Sequence, residues 1–276
     1  MNTPVCPISG FPMKPIFNAQ VLGKYDASYF HCPESGLIQT PDPHWLSEAY
    51  SSAITATDVG LATRNINNRT QSSWTLDFLG LTTGPYLDLG GGYGLFARLM
   101  RDDGFDFYTT DPFCENIFAK GYEPGAGFKA QAVTAFEVFE HVPDPLTFVR
   151  DAFSRYQCRT IIFSTLAYGD NVPASDWWYW CFETGQHITF YNDRALTQLA
   201  EKVGCHYFSL NSDFHVITDQ PLSKFQRLVL RNRHARRVYN RMTRNRRARE
   251  TLIISDYKVA RKALRARQSE TEKVPV

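Results

Sequence analysis

The sequence has no long apolar run, and its few cysteines show no pairing pattern. No stretch approaches the roughly 20 apolar residues of a membrane-spanning helix. The N-terminus, MNTPVCPISG, lacks the basic start and apolar core of a signal peptide. Six cysteines are scattered through 276 residues, which predicts reduced thiols and argues against a disulfide framework. We therefore expect a cytoplasmic globular protein.

Acidic residues are scarce at the C-terminal end. Residues 224–276 hold 17 of the 30 Lys and Arg but only four of the 28 Asp and Glu. The rest of the chain is acidic on balance, so the clearest boundary lies near residue 222. We predict three parts: a small N-terminal element over 1–40, a main domain over 41–221 and a basic helical extension over 222–276.

Short apolar runs alternate with helical patterns across the main domain. The runs predict strands over 85–90, 105–111, 132–138 and 159–166, with helices between them and another helix over 49–68. Such alternation is typical of an α/β fold in which helices cover both faces of a parallel sheet. Ligands bind at the carboxyl ends of the strands in such a sheet, so the residues that follow each strand are the candidates for a site.

A glycine-rich turn follows the first strand and runs Asp88, Leu89, Gly90, Gly91, Gly92, Tyr93, Gly94. Glycines at this point allow a sharp turn and a close approach of backbone to ligand. Asp111 follows the second strand, where a carboxylate can accept both ribose hydroxyls of a nucleotide. The turn fits the dinucleotide fingerprint G-x-G-x-x-G/A, and equally an acid-x-Gly-x-Gly-x-Gly loop.

The third strand leads into FEVFEHVPDP, residues 136–145. With the glycine turn and Asp111, this segment resembles class I S-adenosylmethionine-dependent methyltransferases, in which E-x-x-E-H-x-x-D-P follows the fourth strand. The short-chain dehydrogenases and epimerases need a Tyr-x-x-x-Lys pair, and no tyrosine of this chain has a lysine four residues later. The resemblance covers about residues 40–215.

The resemblance implies a Rossmann-like sheet of seven strands and S-adenosylmethionine as cofactor. The implied cofactor site comprises Asp88, Gly90, Gly91, Gly92 and Gly94 on the methionine side, Asp111 at the ribose, Phe113 at the adenine, and Glu137 and Val138 beside the methyl group. A basic residue from the preceding helix often meets the methionine carboxylate in this family, and Arg64 or Arg69 could do so. Only 24 residues separate Asp111 from Phe136, so we expect an abbreviated third strand and helix.

The stretch DWWYWCFETGQHITFY, residues 176–191, follows the fourth predicted strand. Its Glu-Thr-Gly-Gln-His-x-x-Phe-Tyr segment resembles methyltransferases of bacterial polysaccharide and glycoconjugate pathways, so we expect it to cover a sugar or glycan acceptor. Aromatic rings can stack on the apolar face of a sugar. The predicted acceptor contacts are Asp176, Trp177, Trp178, Tyr179 and Gln186. The predicted general base is His187 or His141, with Glu140 or Glu137 to orient it.

The two ends suggest further roles. Cys6-Pro7-Ile8-Ser9-Gly10 and Cys32-Pro33-Glu34-Ser35-Gly36 resemble zinc-ribbon knuckles in which serine replaces the second cysteine, so we predict a ribbon-like element without metal. The helical, arginine-rich segment 224–267 could pack on the acidic body, contact an anionic membrane surface or bind RNA. We expect no sequence-specific nucleic-acid binding, because the Asn/Asp-Pro-Pro-Tyr/Phe run of base methyltransferases is absent.

These observations predict an enzyme that O-methylates a sugar hydroxyl of a polysaccharide or glycan precursor. A quinone or another small phenol is the alternative acceptor for the same chemistry. A non-catalytic relative that binds polyanions or membrane through its basic extension is the alternative from another class.

Overall fold

A computed structural model describes residues 3–50, 57–243 and 249–271. The strands in these ranges are β1 (Lys14–Val21), β2 (Tyr25–His31), β3 (Ile38–Gln39), β4 (Tyr86–Leu89), β5 (Phe107–Thr110), β6 (Ala132–Ala135), β7 (Thr160–Ser164), β8 (Thr189–Phe190), β9 (His206–Ser209) and β10 (Phe214–Thr218). The helices are α1 (Leu46–Ala49), α2 (Leu61–Phe78), α3 (Leu95–Asp102), α4 (Pro145–Tyr156), α5 (Asp193–Lys202), α6 (Lys224–Arg231), α7 (Arg233–Thr243) and α8 (Ile253–Thr271).

Six strands form the central sheet in the order β5-β4-β6-β7-β10-β9. The four strands from β5 to β7 are parallel, and β10 is antiparallel to both of its neighbours. All residues of β4, β6 and β7 are buried, because both faces of the sheet are covered. β5 and β6 lie on opposite sides of β4, so the strand order reverses there and the carboxyl ends open a crevice.

Successive residues of the central strands pack into two separate cores. Val133 belongs to a core with residues of α4 and α5, whereas the preceding Ala132 belongs to a core with residues of α2 and α3. This alternation follows from the pleat of a strand. The predicted α/β class, with helices on both faces of a mainly parallel sheet, is confirmed.

The expected number of seven strands in this sheet is wrong. Residues 111–131, which connect β5 to β6, contain turns but no strand. An additional parallel strand here would need a crossover on each side, and each crossover takes a dozen or more residues. The segment is too short for both, which agrees with the abbreviation expected from the spacing of Asp111 and Phe136.

A second sheet has the order β1-β2-β3-β8. Its last strand belongs to the acceptor-side segment, since Ile38 pairs with Phe190. The two ribbon knuckles meet each other: Cys6 Sγ lies 3.2 Å from the Ser35 hydroxyl, and Cys32 Sγ lies 3.3 Å from the Ser9 hydroxyl. The serines thus stand where a zinc ribbon has its second cysteines. All six cysteines of the chain are unpaired.

The basic extension packs on the main domain at defined points. Val229 of α6 is buried, and Asp256 of α8 accepts hydrogen bonds from Arg98, Arg101 and Tyr122. The side chains of α8 whose burial is described beyond Asp256 are exposed. Residues 51–56 of the helix predicted over 49–68, and residues 244–248 of the extension, lie outside the described residues. None of the described helices is both long and apolar enough to span a bilayer.

Candidate active site

A cavity of about 320 Å³ lies at the carboxyl ends of β4, β5 and β6. The predicted site residues that line it are Arg64, Asp88, Gly90, Gly91, Gly92, Asp111, Phe113, Glu137, Val138, His141 and Gln186. Those outside its lining are Gly94, Glu140, His187 and the four residues 176–179. The fold therefore brings most of the predicted cofactor residues to one space.

The loop 90–94 between β4 and α3, here called the glycine loop, has almost no room for side chains on its protein side. A Cβ on Gly91 would lie 2.2 Å from Thr109 Oγ1 and 2.4 Å from Asp88 Oδ2. Gly94 has a φ of 82°, in the left-handed region that favours glycine. A Cβ on Gly92 would meet no protein atom, and Gly92 lines the cavity, so its backbone borders open space that a ligand can occupy.

Asp88 stands at the end of β4 and is only 2% exposed. Its Oδ1 accepts a hydrogen bond of 2.6 Å from the Thr134 hydroxyl on the adjacent strand β6. Burial raises the pKa of Asp88 to about 7, although the Thr134 hydrogen bond acts against this rise. The carboxyl is therefore close to its midpoint of ionisation at neutral pH, and a neighbouring cation would favour the charged form.

Asp111 follows β5 and fixes two loops at once. Its Oδ2 accepts from the Gly92 amide at 2.9 Å, and its Oδ1 accepts from the amides of Phe113 and Cys114 at 2.7 and 2.9 Å. Both lone pairs of Oδ1 are therefore used, and Oδ2 can accept one further hydrogen bond, which leaves room for a ribose hydroxyl. The ring of Phe113 stays 59% exposed at the cavity wall.

Arg64 and Glu137 both line the cavity and form an ion pair, with 3.6 Å between Arg64 Nε and Glu137 Oε2. Arg64 also pairs with Asp58. Arg69, the other basic candidate, pairs with Asp103 and is not part of the lining. Arg64 is thus the helix arginine that the fold directs to the site.

Glu137 has an unusual backbone conformation for a non-glycine residue, with a φ of 53°. Such strain costs on the order of 1–3 kcal/mol and clusters at functional sites. The Ser164 hydroxyl donates to Glu137 Oε1 at 2.6 Å. Burial and the nearby Glu140 carboxylate raise the pKa of Glu137 to about 7, and Ser164 and Arg64 act against this rise.

The predicted catalytic residues Glu140, His141 and His187 form a cluster next to the cavity. His141 reaches the cavity, and its ring centroid lies 5.1 Å from that of His187. Burial, with the adjacent His141, lowers the pKa of His187 to about 3. His187 is therefore neutral at physiological pH and a weak proton acceptor.

The aromatic stretch 176–180 divides into buried and exposed parts. Tyr179 and Trp180 are 4% and 1% exposed, and the hydroxyl of Tyr179 donates to Glu140 Oε1 at 2.7 Å. Trp177 is half-buried against both rings, whereas Trp178 is 71% exposed and Asp176 is exposed. Most of these rings therefore pack against the second sheet.

Several residues of the site carried no motif in the sequence. Tyr50 stacks on Phe113 with 4.8 Å between ring centroids, and Asn65 and Asn68 of α2 line the cavity. Tyr50 lies far upstream of the glycine loop in the sequence, and no motif around it predicted that it belongs to the site. Thr134 and Ser164 could have been found, because each is a polar residue within an otherwise apolar strand.

A comparison with protein families matches residues 65–210, more than half of the chain, to a family described as a methyltransferase domain. The chain belongs to this family. The methyltransferase resemblance and the enzyme class predicted from the sequence are thereby confirmed, and the alternative of a non-catalytic binding module loses support.

Solved structures are similar to this chain at low sequence identity. Magnesium protoporphyrin IX methyltransferase from Synechocystis PCC 6803, with SAH bound, is 12% identical with a TM-score of 0.42 and covers 64% of this chain and 94% of its own. Human N-acetylserotonin methyltransferase in complex with SAM is 14% identical with a TM-score of 0.40, and the coverage is 64% and 66%. No curated protein sequence matches the chain significantly.

Proposed function

We propose that the protein transfers a methyl group from S-adenosylmethionine to a sugar hydroxyl of a polysaccharide or glycan precursor. The observation that carries this proposal is the cavity that joins the glycine loop to a wall formed by Glu137, His141 and Gln186. A donor on the loop and an acceptor at the wall would meet in one space, which is what an in-line transfer requires.

The residues present fit S-adenosylmethionine. Asp111 would accept a ribose hydroxyl at Oδ2, the exposed ring of Phe113 would face the adenine, and Arg64 would pair with the methionine carboxylate. The space next to Gly92 is open, because a Cβ there would contact nothing within 4 Å. This space can hold the cofactor, which has no phosphate groups for the loop to bind. The buried Asp88 and the partly exposed Glu137, both acids at strand ends, would lie near the positively charged sulfonium and amino groups.

The bound cofactor supplies a methyl group already activated on sulfur, so alignment of the acceptor contributes much of the catalysis. A sugar hydroxyl is nevertheless a poor nucleophile. We propose that the cluster of Glu140, His141 and His187 activates it, since His141 brings this cluster to the cavity wall.

The chemistry of the wall supports a sugar as acceptor. Amide groups of Asn65, Asn68 and Gln186 can bond several hydroxyls, and the rings of Tyr50 and Phe148 offer apolar faces. A sugar presents both kinds of surface. The resemblance of residues 183–191 to polysaccharide methyltransferases agrees with this composition.

A methyl-transfer assay with an acceptor panel tests the substrate class. The purified chain is incubated with methyl-labelled S-adenosylmethionine and either nucleotide sugars and glycan fragments or catechols and quinols. We expect label in the sugars, at an ether oxygen located by mass spectrometry and NMR. Label confined to phenols would replace the sugar proposal with the phenol alternative, and label in neither class would contradict both.

Trp178 provides a variant for the same assay, because it is exposed, its ring lies 5.3 Å from that of Tyr179, and it does not line the cavity. Trp178→Ala should raise the acceptor KM by about tenfold and leave S-adenosylhomocysteine affinity unchanged. Phe11→Ala is the control, since Phe11 is also exposed, at 54%, but belongs to the N-terminal element. A loss of cofactor binding in Trp178→Ala would show that the stretch is only structural.

We also propose that α8 contacts an anionic membrane surface from its cytoplasmic side. Ile254, Tyr257 and Leu264 are between 58% and 60% exposed, and exposed basic side chains share their helix, among them Arg261 and Lys262. Apolar and basic groups on one exposed helix suit the boundary between lipid tails and anionic headgroups.

A further inference from the structure

Three side chains with metal-binding atoms converge beside the cavity. One carboxylate oxygen of Glu140 and one ring nitrogen each of His141 and His187 all lie within 4.8 Å of one another. Glu140 and His141 belong to a short 3-10 helix (Phe139–His141) after β6, and His187 lies just before β8. The backbone joins the two segments, since the Ile188 amide donates to the Glu140 carbonyl at 2.8 Å.

The two imidazoles are oriented in the same way. The Nδ1 atom of His141 lies 2.8 Å from the carbonyl oxygen of Gln186, and that of His187 lies 2.8 Å from the carbonyl oxygen of Tyr179. A carbonyl oxygen only accepts, so each Nδ1 must carry the proton and donate it. In the neutral imidazole the other nitrogen, Nε2, then keeps its lone pair. A backbone acceptor on one ring nitrogen and a free lone pair on the other is the usual arrangement of a metal-binding histidine.

The buried carboxylate of Glu140 is only partly hydrogen-bonded among the described residues. Its side chain is completely buried, and its Oε1 accepts a hydrogen bond from the Tyr179 hydroxyl. Its Oε2 is buried without any hydrogen-bond partner among the described residues. An unsatisfied carboxylate oxygen in a protein interior is costly, and a cation is one of the few groups that can satisfy it.

We propose that Glu140, His141 and His187 bind one divalent transition-metal cation of the Mn²⁺, Fe²⁺ or Zn²⁺ type. Two imidazole nitrogens and one carboxylate oxygen suit such ions better than Mg²⁺ or Ca²⁺, which prefer oxygen ligands. Three protein ligands leave coordination positions open. Because His141 lines the cavity, an open position would face the acceptor.

This inference rests on the proposed function and specifies how the cluster acts. A cation held here would bind the acceptor hydroxyl oxygen and lower its pKa, with the proton released to water. The histidines then act as ligands and need not take up the proton. The same ion would fix the acceptor oxygen relative to the methyl group, which adds alignment to activation.

Metal uptake by the whole chain tests the site. The chelator-treated protein is titrated calorimetrically with MnCl₂ and with ZnCl₂, and its metal content is measured after dialysis. Binding of Mn²⁺ is followed independently by loss of the free-ion EPR signal. We expect one equivalent of cation per chain.

Glu140→Gln keeps the shape of the side chain and an oxygen for Tyr179, but removes the charge. It should weaken cation binding by about 100-fold or more, and His187→Gln should do the same. The loss of a metal ligand should cost at least as much affinity as the loss of a residue that only hydrogen-bonds to a ligand. Glu201→Gln and His206→Gln are the controls, because both residues are exposed and remote from the cluster. Circular dichroism shows whether each variant is folded.

The proposal is wrong if the native chain retains no cation at unit stoichiometry, or if both cluster variants bind it as tightly as the native chain does. The three side chains would then form only a hydrogen-bonded network. Titration of the chelated protein with S-adenosylhomocysteine separates this result from failure of the proposed function. We expect that binding to persist without metal, because the glycine loop and Asp111 hold the cofactor.

Discussion

The side chains of Thr109 and Asp88 leave no space for a Cβ on Gly91. Its missing Cβ would fall between Thr109 Oγ1 and Asp88 Oδ2, so Gly91→Ala must displace the loop or the buried acid. Overpacking of this kind costs about 1–3 kcal/mol. We expect the variant to bind S-adenosylhomocysteine at least about tenfold more weakly and to unfold at lower urea concentration.

Gly125→Ala is the matched control for this change. A Cβ on Gly125 would meet nothing within 4 Å, and its φ lies outside the left-handed region. Cofactor affinity in this variant should equal that of the native chain. Equal affinities in all three proteins would mean that the glycine loop does not hold the cofactor.

The individual residues differ in how far the sequence could place them. Asp88 lies near the end of a strand, and Asp111 and Glu137 each follow one. The carboxyl ends of neighbouring parallel strands meet in space, so chain order was enough to place these residues. The aromatic residues had no such constraint. Trp178 and Trp180 are alike in the sequence but differ in exposure, because Phe17 of the second sheet packs 4.9 Å from the ring of Trp180.

Among the elements, α8 is held to the main domain by Asp256. Burial alone would raise the pKa of this carboxyl, but hydrogen bonds from Arg101, Tyr122 and Arg98 outweigh it and lower the pKa to about 2. Because folding lowers the pKa of Asp256 from its unfolded value near 4, the ionised carboxyl stabilises the folded protein at pH values above 4, by about 2 kcal/mol. This contribution should vanish as the pH falls from about 4 to 2.

Urea unfolding between pH 7 and pH 3 checks this prediction with Asp256→Asn. The variant should be less stable at pH 7, because Arg101 loses its buried partner, and its loss of stability on acidification should be smaller than that of the native chain. Asp151→Asn, at an exposed position of α4, should behave like the native protein. Parallel pH curves for the native chain and Asp256→Asn would contradict the assignment.

The exposed face of α8 makes a separate prediction. The native chain should float with vesicles of phosphatidylglycerol and not with vesicles of phosphatidylcholine, because basic residues near an anionic surface each contribute about 1 kcal/mol. The double change Arg261→Glu and Lys262→Glu should abolish flotation. The control carries Lys129→Glu and Lys202→Glu, which are exposed on the main domain. Equal flotation of both double variants would exclude α8 as the contact.

The order of strands and helices was predictable, but the size of the sheet was not. Periodicity identified β4, β5, β6 and β7, since apolar runs of this length are buried from both sides. The resemblance suggested seven strands because that number is typical of the family. The short segment 111–131 could have corrected this number, since it cannot hold two crossovers.

On the scale of the whole molecule, the second sheet could not have been foreseen as it stands. The sequence marked residues 1–40 as a separate element, and it gave no sign that Phe190 would add a strand to it. This pairing joins residues far apart in the chain, and a two-residue strand has no periodicity to detect. Through it the N-terminal element supports the aromatic stretch beside the candidate active site.

We expect the cavity to bind S-adenosylmethionine through the glycine loop and Asp111. Calorimetric titration with S-adenosylmethionine and S-adenosylhomocysteine tests it most directly, with NAD as a control ligand and Asp151→Ala as a control variant. We predict roughly micromolar binding of both cofactor forms and none of NAD. Asp111→Ala should weaken binding by about 100-fold, because it removes charged hydrogen bonds to the ribose and to the Gly92 amide. A folded native protein that binds neither cofactor form, or an Asp111→Ala variant that binds as tightly as the native chain, would contradict the account.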